Sequence, residues 1–149
     1  MPTPQPSPPD PVTVLVVDDE DAACRLVSRI LIGRSYRVLS TTSPAEALEI
    51  AADSSQAIDV LLTDVRMPSM SGPELAARLV ELRPSVAVMY MSGFSRDVLP
   101  SHLQHSDVPL VQKPFAPHAL SRSIAETLRR GSEPLSRLEV AGGASESPA

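Results

Sequence analysis

Five short apolar runs, each followed by a stretch of helical periodicity, constrain this chain more than anything else in its sequence. "VTVLVV" (12–17) is nearly continuous in apolar residues, and Ala23, Leu26, Val27, Ile30 and Leu31 then recur at helical spacing up to Gly33. "YRVLST" (36–41) leads into "SPAE" (43–46), a capping box with Pro44 at the first helical position and Glu46 placed to reach back to the cap; it predicts a helix through about Ala52. The third pair is "IDVLLT" (58–63) and a helix opened by "SGPE" (71–74), in which Leu75, Leu79 and Leu82 share a face. "VAVMYM" (86–91) precedes a weaker helical stretch near 95–105, and "VPLVQ" (108–112) precedes a last helix ending at Arg129-Arg130. The stretch near 95–105 contains Pro100, and an interior proline costs a helix about 3 kcal/mol, so this fourth helix is expected to be short, displaced or frayed.

Strands that are apolar on both faces and alternate with helices predict an α/β fold, a parallel sheet covered on both sides. Right-handed crossovers and five strands make this a five-stranded doubly wound (βα)5 sheet of order 2-1-3-4-5. Ligands of such sheets sit beyond the carboxyl ends of the strands, where the winding reverses between strands 1 and 3. The first strand ends in Asp18-Asp19, the third in Asp64, the fourth in Ser92 and the fifth in Lys113. Three carboxylates should therefore converge at the switch point. Close like charges repel by about 4 kcal/mol per pair at an effective dielectric near 20, which a marginally stable fold does not carry uncompensated. A divalent cation is the economical remedy, and hard oxygen donors in an open, wet cleft suit Mg²⁺.

Each residue also has a plainer explanation. Acidic side chains in a first turn complement the helix dipole, which accounts for Glu20 and Asp21 but not for Asp18, still on the strand. Ser92 alone is a turn hydroxyl before Gly93, Lys113 alone a solvated lysine, and Asp64 alone a polar strand end. Together, a hydroxyl and an ammonium beside a metal-loaded aspartate supply the donors and positive charge that a phosphorylated carboxylate requires. Pro114 keeps Lys113 out of helical conformation, so its side chain can point across the strand ends.

Four stretches, "VLVVDDE", "LLTDVRMPSMSG", "MYMSGF" and "VQKPF", in this order and spacing, resemble the signatures of response-regulator receiver domains over about residues 12–130. The resemblance implies a flavodoxin-like receiver fold with Asp64 as phosphoacceptor. Asp19 and Asp64 would bind Mg²⁺ directly, with the Arg66 backbone carbonyl, and Asp18 would act through water. Ser92 would be the switch hydroxyl, and Lys113 the phosphoryl contact, with a cis Lys113-Pro114 bond. Arg66 and Phe94 occupy positions that resemble the family's tuning sites for hydrolysis, and bulky groups there predict a slowly decaying phosphoprotein. Receivers usually carry Tyr or Phe three residues before the lysine. Here that position is Leu110, so a weak or differently wired switch is expected. The wording of "MYMSGF" and "VQKPF" is similar to receivers of hybrid histidine kinases, which implies a phosphorelay role.

The 149 residues suit one domain with a real core. A 42% hydrophobic, 21% charged chain of net charge -5 has no electrostatic reason to seek nucleic acid or anionic lipid. The single cysteine, Cys24, precludes an internal disulfide and is read as packing beside the first helix's core stripe. His102 and His105, three apart without further ligands nearby, are read as a solvated pair. No signal peptide is evident and no apolar run approaches the roughly 18 residues of a membrane span, so a cytoplasmic protein is expected. "MPTPQPSPPDP", with six prolines in eleven residues, reads as a disordered leader over 1–11, and 131–149, rich in small residues and breakers, as a flexible tail. Too little chain follows residue 130 for an output domain, so the expectation is a stand-alone response regulator. Its donor would be a histidine kinase or histidine phosphotransfer protein, and its output a contact with an unknown protein partner. It would be a signalling phosphoacceptor rather than an enzyme. Two alternatives use the same residues: a Mg²⁺-dependent phosphatase with an aspartyl-phosphate intermediate, and a binding module that is never phosphorylated.

Overall fold

The computed structural model describes residues 11–131. The leader expected over 1–11, apart from Pro11, and the tail expected over 131–149, apart from Gly131, which ends the last helix, lie outside the described residues. The elements follow in the order β1 (Thr13–Val17), α1 (Asp21–Ile32), β2 (Arg37–Thr41), α2 (Pro44–Ala52), β3 (Val60–Asp64), α3 (Gly72–Leu82), β4 (Ala87–Ser92), α4 (Ser101–Gln104), β5 (Leu110–Gln112) and α5 (Pro117–Gly131). All strand pairs are parallel and the sheet order is β2-β1-β3-β4-β5, as the alternation predicts.

Pleating divides the apolar strands between two cores. Leu15, Val17 and Leu61 pack with Ala47, Ala51, Leu75 and Leu79 of α2 and α3. Val14, Val16, Val60 and Leu62 pack with Cys24, Val27 and Leu31 of α1 and with Leu120 and Ile124 of α5. The central strands are thus buried on both faces, and each large aliphatic side chain removed from water contributes about 1.5–3 kcal/mol. Two helices start where the sequence says. The Ser43 hydroxyl accepts the Glu46 amide at 3.2 Å with Pro44 in the first turn, and the Ser71 hydroxyl accepts the Glu74 amide at 3.2 Å.

The helix faces differ in detail from the expected ones. The inward stripe of α1 is Cys24, Val27 and Leu31, whereas Leu26 is 57% exposed and Ile30 only half-buried. Cys24 belongs to the stripe rather than lying beside it, because 24, 27 and 31 keep the i, i+3, i+7 spacing. In α3 the stripe is Leu75, Ala76 and Leu79, and Leu82, in the last turn, is 46% exposed. β2 begins at Arg37 because the Tyr36 amide is taken by Leu31 O of α1 at 3.0 Å. β5 begins at Leu110, directly after Pro109, which has no amide to give to a ladder. The stretch 95–105 is broken as expected. A 3₁₀ turn at Arg96–Val98 ends in an extended Leu99 (φ -75°, ψ 151°), and α4 restarts after Pro100 with four residues. The ring of a proline excludes helical geometry from the residue before it, which accounts for the break at Leu99.

Gly72 opens α3 where its backbone presses on the end of β3. Its amide donates to Val65 O at 2.8 Å, and a Cβ at this position would fall inside van der Waals contact of the Asp64 carbonyl oxygen. Arg83, just past α3, donates to Ala51 O, Asp53 O and Gln56 O at 2.9, 2.6 and 2.6 Å and so ties the α2–β3 connection to α3. Gly72→Ala is therefore expected to lower unfolding free energy by about 1–3 kcal/mol, the usual cost of forcing a methyl group into filled space, as read by urea denaturation.

Candidate functional site

Register decides which side chains meet. Val17 pairs with Thr63, so the next residues, Asp18 and Asp64, leave β1 and β3 side by side. Asp64 pairs with Met91 and Ser92 with Gln112, which sets Ser92 and Lys113 one step further along the same edge. The outcome is a pocket of about 230 Å³ lined by Asp19, Glu20, Asp64, Arg66, Ser92, Gly93, Phe94 and Lys113.

Asp18 lies beneath this pocket and is fully buried. Its Oδ2 accepts the Lys113 ammonium at 2.7 Å and its Oδ1 accepts the Glu20 amide at 2.9 Å. The Lys113 Nζ lies 3.8 Å from Asp64 Oδ1, so one ammonium serves two carboxylates. Burial alone would weaken the lysine's charge, but the hydrogen bond and charge of Asp18, with the charge of Asp64, hold its pKa above the usual value. Asp64 Oδ1 also accepts the Val65 amide at 3.0 Å. Its carboxyl is nevertheless pushed up to about 6, by burial first and then by the charges of Asp18 and Asp19, against the opposing pull of Lys113.

Asp18, Asp19 and Asp64 each offer an oxygen within 4.8 Å of the others, ranging from buried Asp18 to exposed Asp19. Three hard oxygen donors with a net negative charge and a wet opening fit a divalent cation of the Mg²⁺ type. Ser92 Oγ accepts the Phe94 amide at 2.9 Å, and the Arg66 guanidinium stacks 5.1 Å from the Phe94 ring centroid. The Lys113-Pro114 bond is cis.

Seven of the residues singled out in the sequence thus come together here. Leu110 does not; it is half-buried on β5 opposite Tyr90, away from the pocket lining. His102 and His105 are exposed. Two contributions were not read from sequence. Glu20 lines the pocket from the N-cap position of α1, where its side chain makes no cap bond. Gly72 gives the Asp64 backbone its room, and the only signal for it was a glycine ahead of Pro73 where Ser71 already caps the helix.

A doubly wound sheet with carboxylates, a lysine and a hydroxyl gathered at its switch point defines an α/β domain with an acidic strand-end pocket. Residues 14–125 match the response regulator receiver domain family, and the chain belongs to it. It is 34% identical over 122 residues to the sensor kinase CckA of Brucella abortus (strain 2308), covering 79% of this chain and 13% of that protein. It is 30% identical over 116 residues to the response regulator receiver protein CpdR of the same organism, covering 77% of this chain and 95% of CpdR. Among solved structures, the receiver domain of the hybrid histidine kinase CckA matches with a TM-score of 0.65 at 31% identity, over 78% of this chain and 98% of that one. A receiver domain protein from Clostridium thermocellum matches with a TM-score of 0.70 at 27% identity, over 80% and 95%. The chain spans a small part of CckA and nearly all of CpdR. Receiver domains belong to two-component systems, are typically phosphorylated on aspartate, and bind Mg²⁺ through an acidic pocket. Among the described residues no helix is long and apolar enough to cross a membrane.

Two stability measurements test this electrostatic arrangement. Because Asp64 binds its proton more tightly folded than unfolded, stability is full below about pH 4 and falls as pH rises through about 6. Asp64→Asn removes that penalty. It should be more stable than the unsubstituted chain by about 1–3 kcal/mol at pH 7.5 without divalent cations, and nearly equal to it at pH 4. Lys113→Met leaves the fully buried Asp18 charge without its partner and should cost about 3 kcal/mol at pH 7.5, measured by urea denaturation.

Proposed function

We propose that residues 12–130 form the receiver unit of a single-domain response regulator and that Asp64 accepts a phosphoryl group from a phosphohistidine donor. The observation that carries this reading is the single pocket in which the Asp64 carboxylate meets Lys113 at 3.8 Å and shares its walls with Ser92 and Asp19. An Asp64 oxygen attacks the phosphorus in line. The O–P bond forms as the P–N bond to the donor imidazole breaks, and the departing imidazole nitrogen takes up a proton. The Lys113 ammonium, within reach of both Asp18 and Asp64, stabilises charge on the transferred oxygens. Ser92 Oγ accepts the Phe94 amide and so keeps its own proton to donate to a phosphoryl oxygen.

Asp19, Asp64 and the Arg66 backbone carbonyl would hold Mg²⁺, with Asp18 acting through water; when bound, the ion supplies positive charge against the carboxylates and the phosphoryl group. In the later hydrolysis water attacks phosphorus, the Asp64 O–P bond breaks, and inorganic phosphate and the free carboxylate are released. Arg66 and Phe94, stacked on each other and both lining the pocket, obstruct that water and slow the loss. Leu110 carries no aromatic ring to rotate, so the switch is differently wired at β5. The donor is a histidine kinase or histidine phosphotransfer protein and the output a protein contact. A net charge of -5 supports a chain that does not bind nucleic acid or anionic membranes directly.

Incubation with Mg²⁺ and acetyl phosphate should add one phosphoryl group by intact mass, and a chelator or Asp64→Asn should abolish the adduct. An unmodified chain under these conditions, or sustained turnover of an aryl phosphate, would exclude this reading in favour of a binding module or a phosphatase. The adduct should outlast seconds, and Phe94→Ala should speed its loss about tenfold, equivalent to ~1.4 kcal/mol of barrier.

A further inference from the structure

Outside the pocket, the Arg96 side chain makes four hydrogen bonds. Its Nε donates to Gln104 O at 3.2 Å, Nη1 to Val108 O at 2.9 Å, and Nη2 to Leu103 O and Ser106 O at 2.9 and 3.0 Å. Every one of these acceptors is a backbone carbonyl, from the end of the four-residue α4 or from the loop that feeds β5. Carbonyls at a helix C-terminus lack intrahelical partners and present the negative end of the dipole, which a guanidinium satisfies with its rigid fork of donors. Gln104 closes the ring from the other side, its Nε2 donating to Leu99 O at 2.8 Å and Asp97 O at 3.2 Å. Ser106 completes it by donating from Oγ to Leu103 O at 2.8 Å and accepting the Val108 amide at 3.2 Å.

An unbroken helix would carry a displacement along its own hydrogen bonds. This segment cannot, because Leu99 is extended and Pro100 offers no amide. What joins residue 96 to residue 108 is the side-chain clasp. Arg96 stands four residues after Ser92, and the intervening chain is already tethered by the Ser92 hydroxyl to the Phe94 amide. At the far end Val108 leads through Pro109, whose carbonyl accepts the Tyr90 amide at 2.9 Å, to Leu110. We infer that Arg96 is a positioning residue that binds 96–108 into one unit, so that movement of Ser92 is delivered to the start of β5 without a rotating aromatic at position 110. The inference rests on the phosphoacceptor reading of Asp64 and names how its signal leaves the pocket. The clasped unit supplies Pro100, Leu103 and Val108 to one wall of an apolar groove of about 610 Å³ whose opposite wall includes Ala77 and Val80 of α3, so the same movement changes the groove's width.

The test compares amide NMR shifts of the full chain and of Arg96→Met, each with Mg²⁺ and with or without beryllofluoride as the phosphoryl mimic. In the unsubstituted chain, shifts are expected at 64–66, at 92–95 and across 101–110; in Arg96→Met the first two sets persist and the third is lost. Equal shifts at 101–110 in both proteins, or none there in the unsubstituted chain while 64–66 and 92–95 respond, overturn the clasp and leave the phosphoacceptor reading intact. No response at 64–66 and 92–95 overturns both. Should Arg96→Met fail to fold, the unsubstituted chain decides. Its Arg96 Nε–H signal is expected to exchange slowly with solvent and to shift on beryllofluoride binding, and a fast-exchanging or unshifted signal overturns the clasp.

Discussion

A carboxylate with no exposure to water, Asp18 at the end of β1, sets the terms for the rest of the molecule. An isolated charge in such a place costs several kcal/mol, so the fold must bring it a cation and a donor. It does so with the Lys113 ammonium at 2.7 Å and the Glu20 amide at 2.9 Å. Meeting this demand requires that β5, separated from β1 by β3 and β4, end at the same edge and at the right height. The parallel registers of β1, β3, β4 and β5 are therefore coupled through one ion pair made 95 residues apart in sequence. The pocket is what lies above it.

That pocket is poorly balanced on its own. Lys113 is nearer Asp18 than Asp64, which leaves the Asp64 carboxyl to feel burial and two neighbouring carboxylates. The site thus holds more negative charge than its one lysine offsets, an arrangement that fits a divalent cation. The backbone gives no room for relief, since α3 begins against the Asp64 carbonyl and only a glycine fits at position 72. Local rules of stability are broken at the pocket, and the buried strands below supply the compensation.

The side of the sheet beyond Ser92 is built differently. Pro100 divides the fourth helical segment, and polar side chains replace helical hydrogen bonds as its connection, with Arg96 and Gln104 spending their donors on backbone carbonyls. Leu110, packed opposite Tyr90, contributes bulk but no polar group that could register the state of the pocket. A segment held together by side-chain to backbone bonds can move as one piece, which is what a relay between two states needs.

The sequence by itself determined the alternation of strands and helices, the sheet order and seven of the residues gathered at the pocket. Apolar periodicity is local, parallel crossovers have one hand, and strand ends in a doubly wound sheet meet at one edge whatever the side chains beyond them. Serine caps at 43 and 71 and the break at Pro100 were legible for the same reason: each acts on its own neighbours. What only the tertiary structure decided depends on atoms distant along the chain. The helical faces of α1 and α3 were offset because periodicity admits several adjacent stripes until a sheet selects one, burying Cys24 and leaving Leu26 and Leu82 in water. The pairing of Lys113 with Asp18 and the four carbonyls around Arg96 carry no sequence signature, and the demand for a glycine at 72 only the faint one of a glycine between a capping serine and a proline. A buried charge, a steric limit and a carbonyl acceptor are properties of assembled neighbours, and those neighbours exist only once the sheet has closed its register.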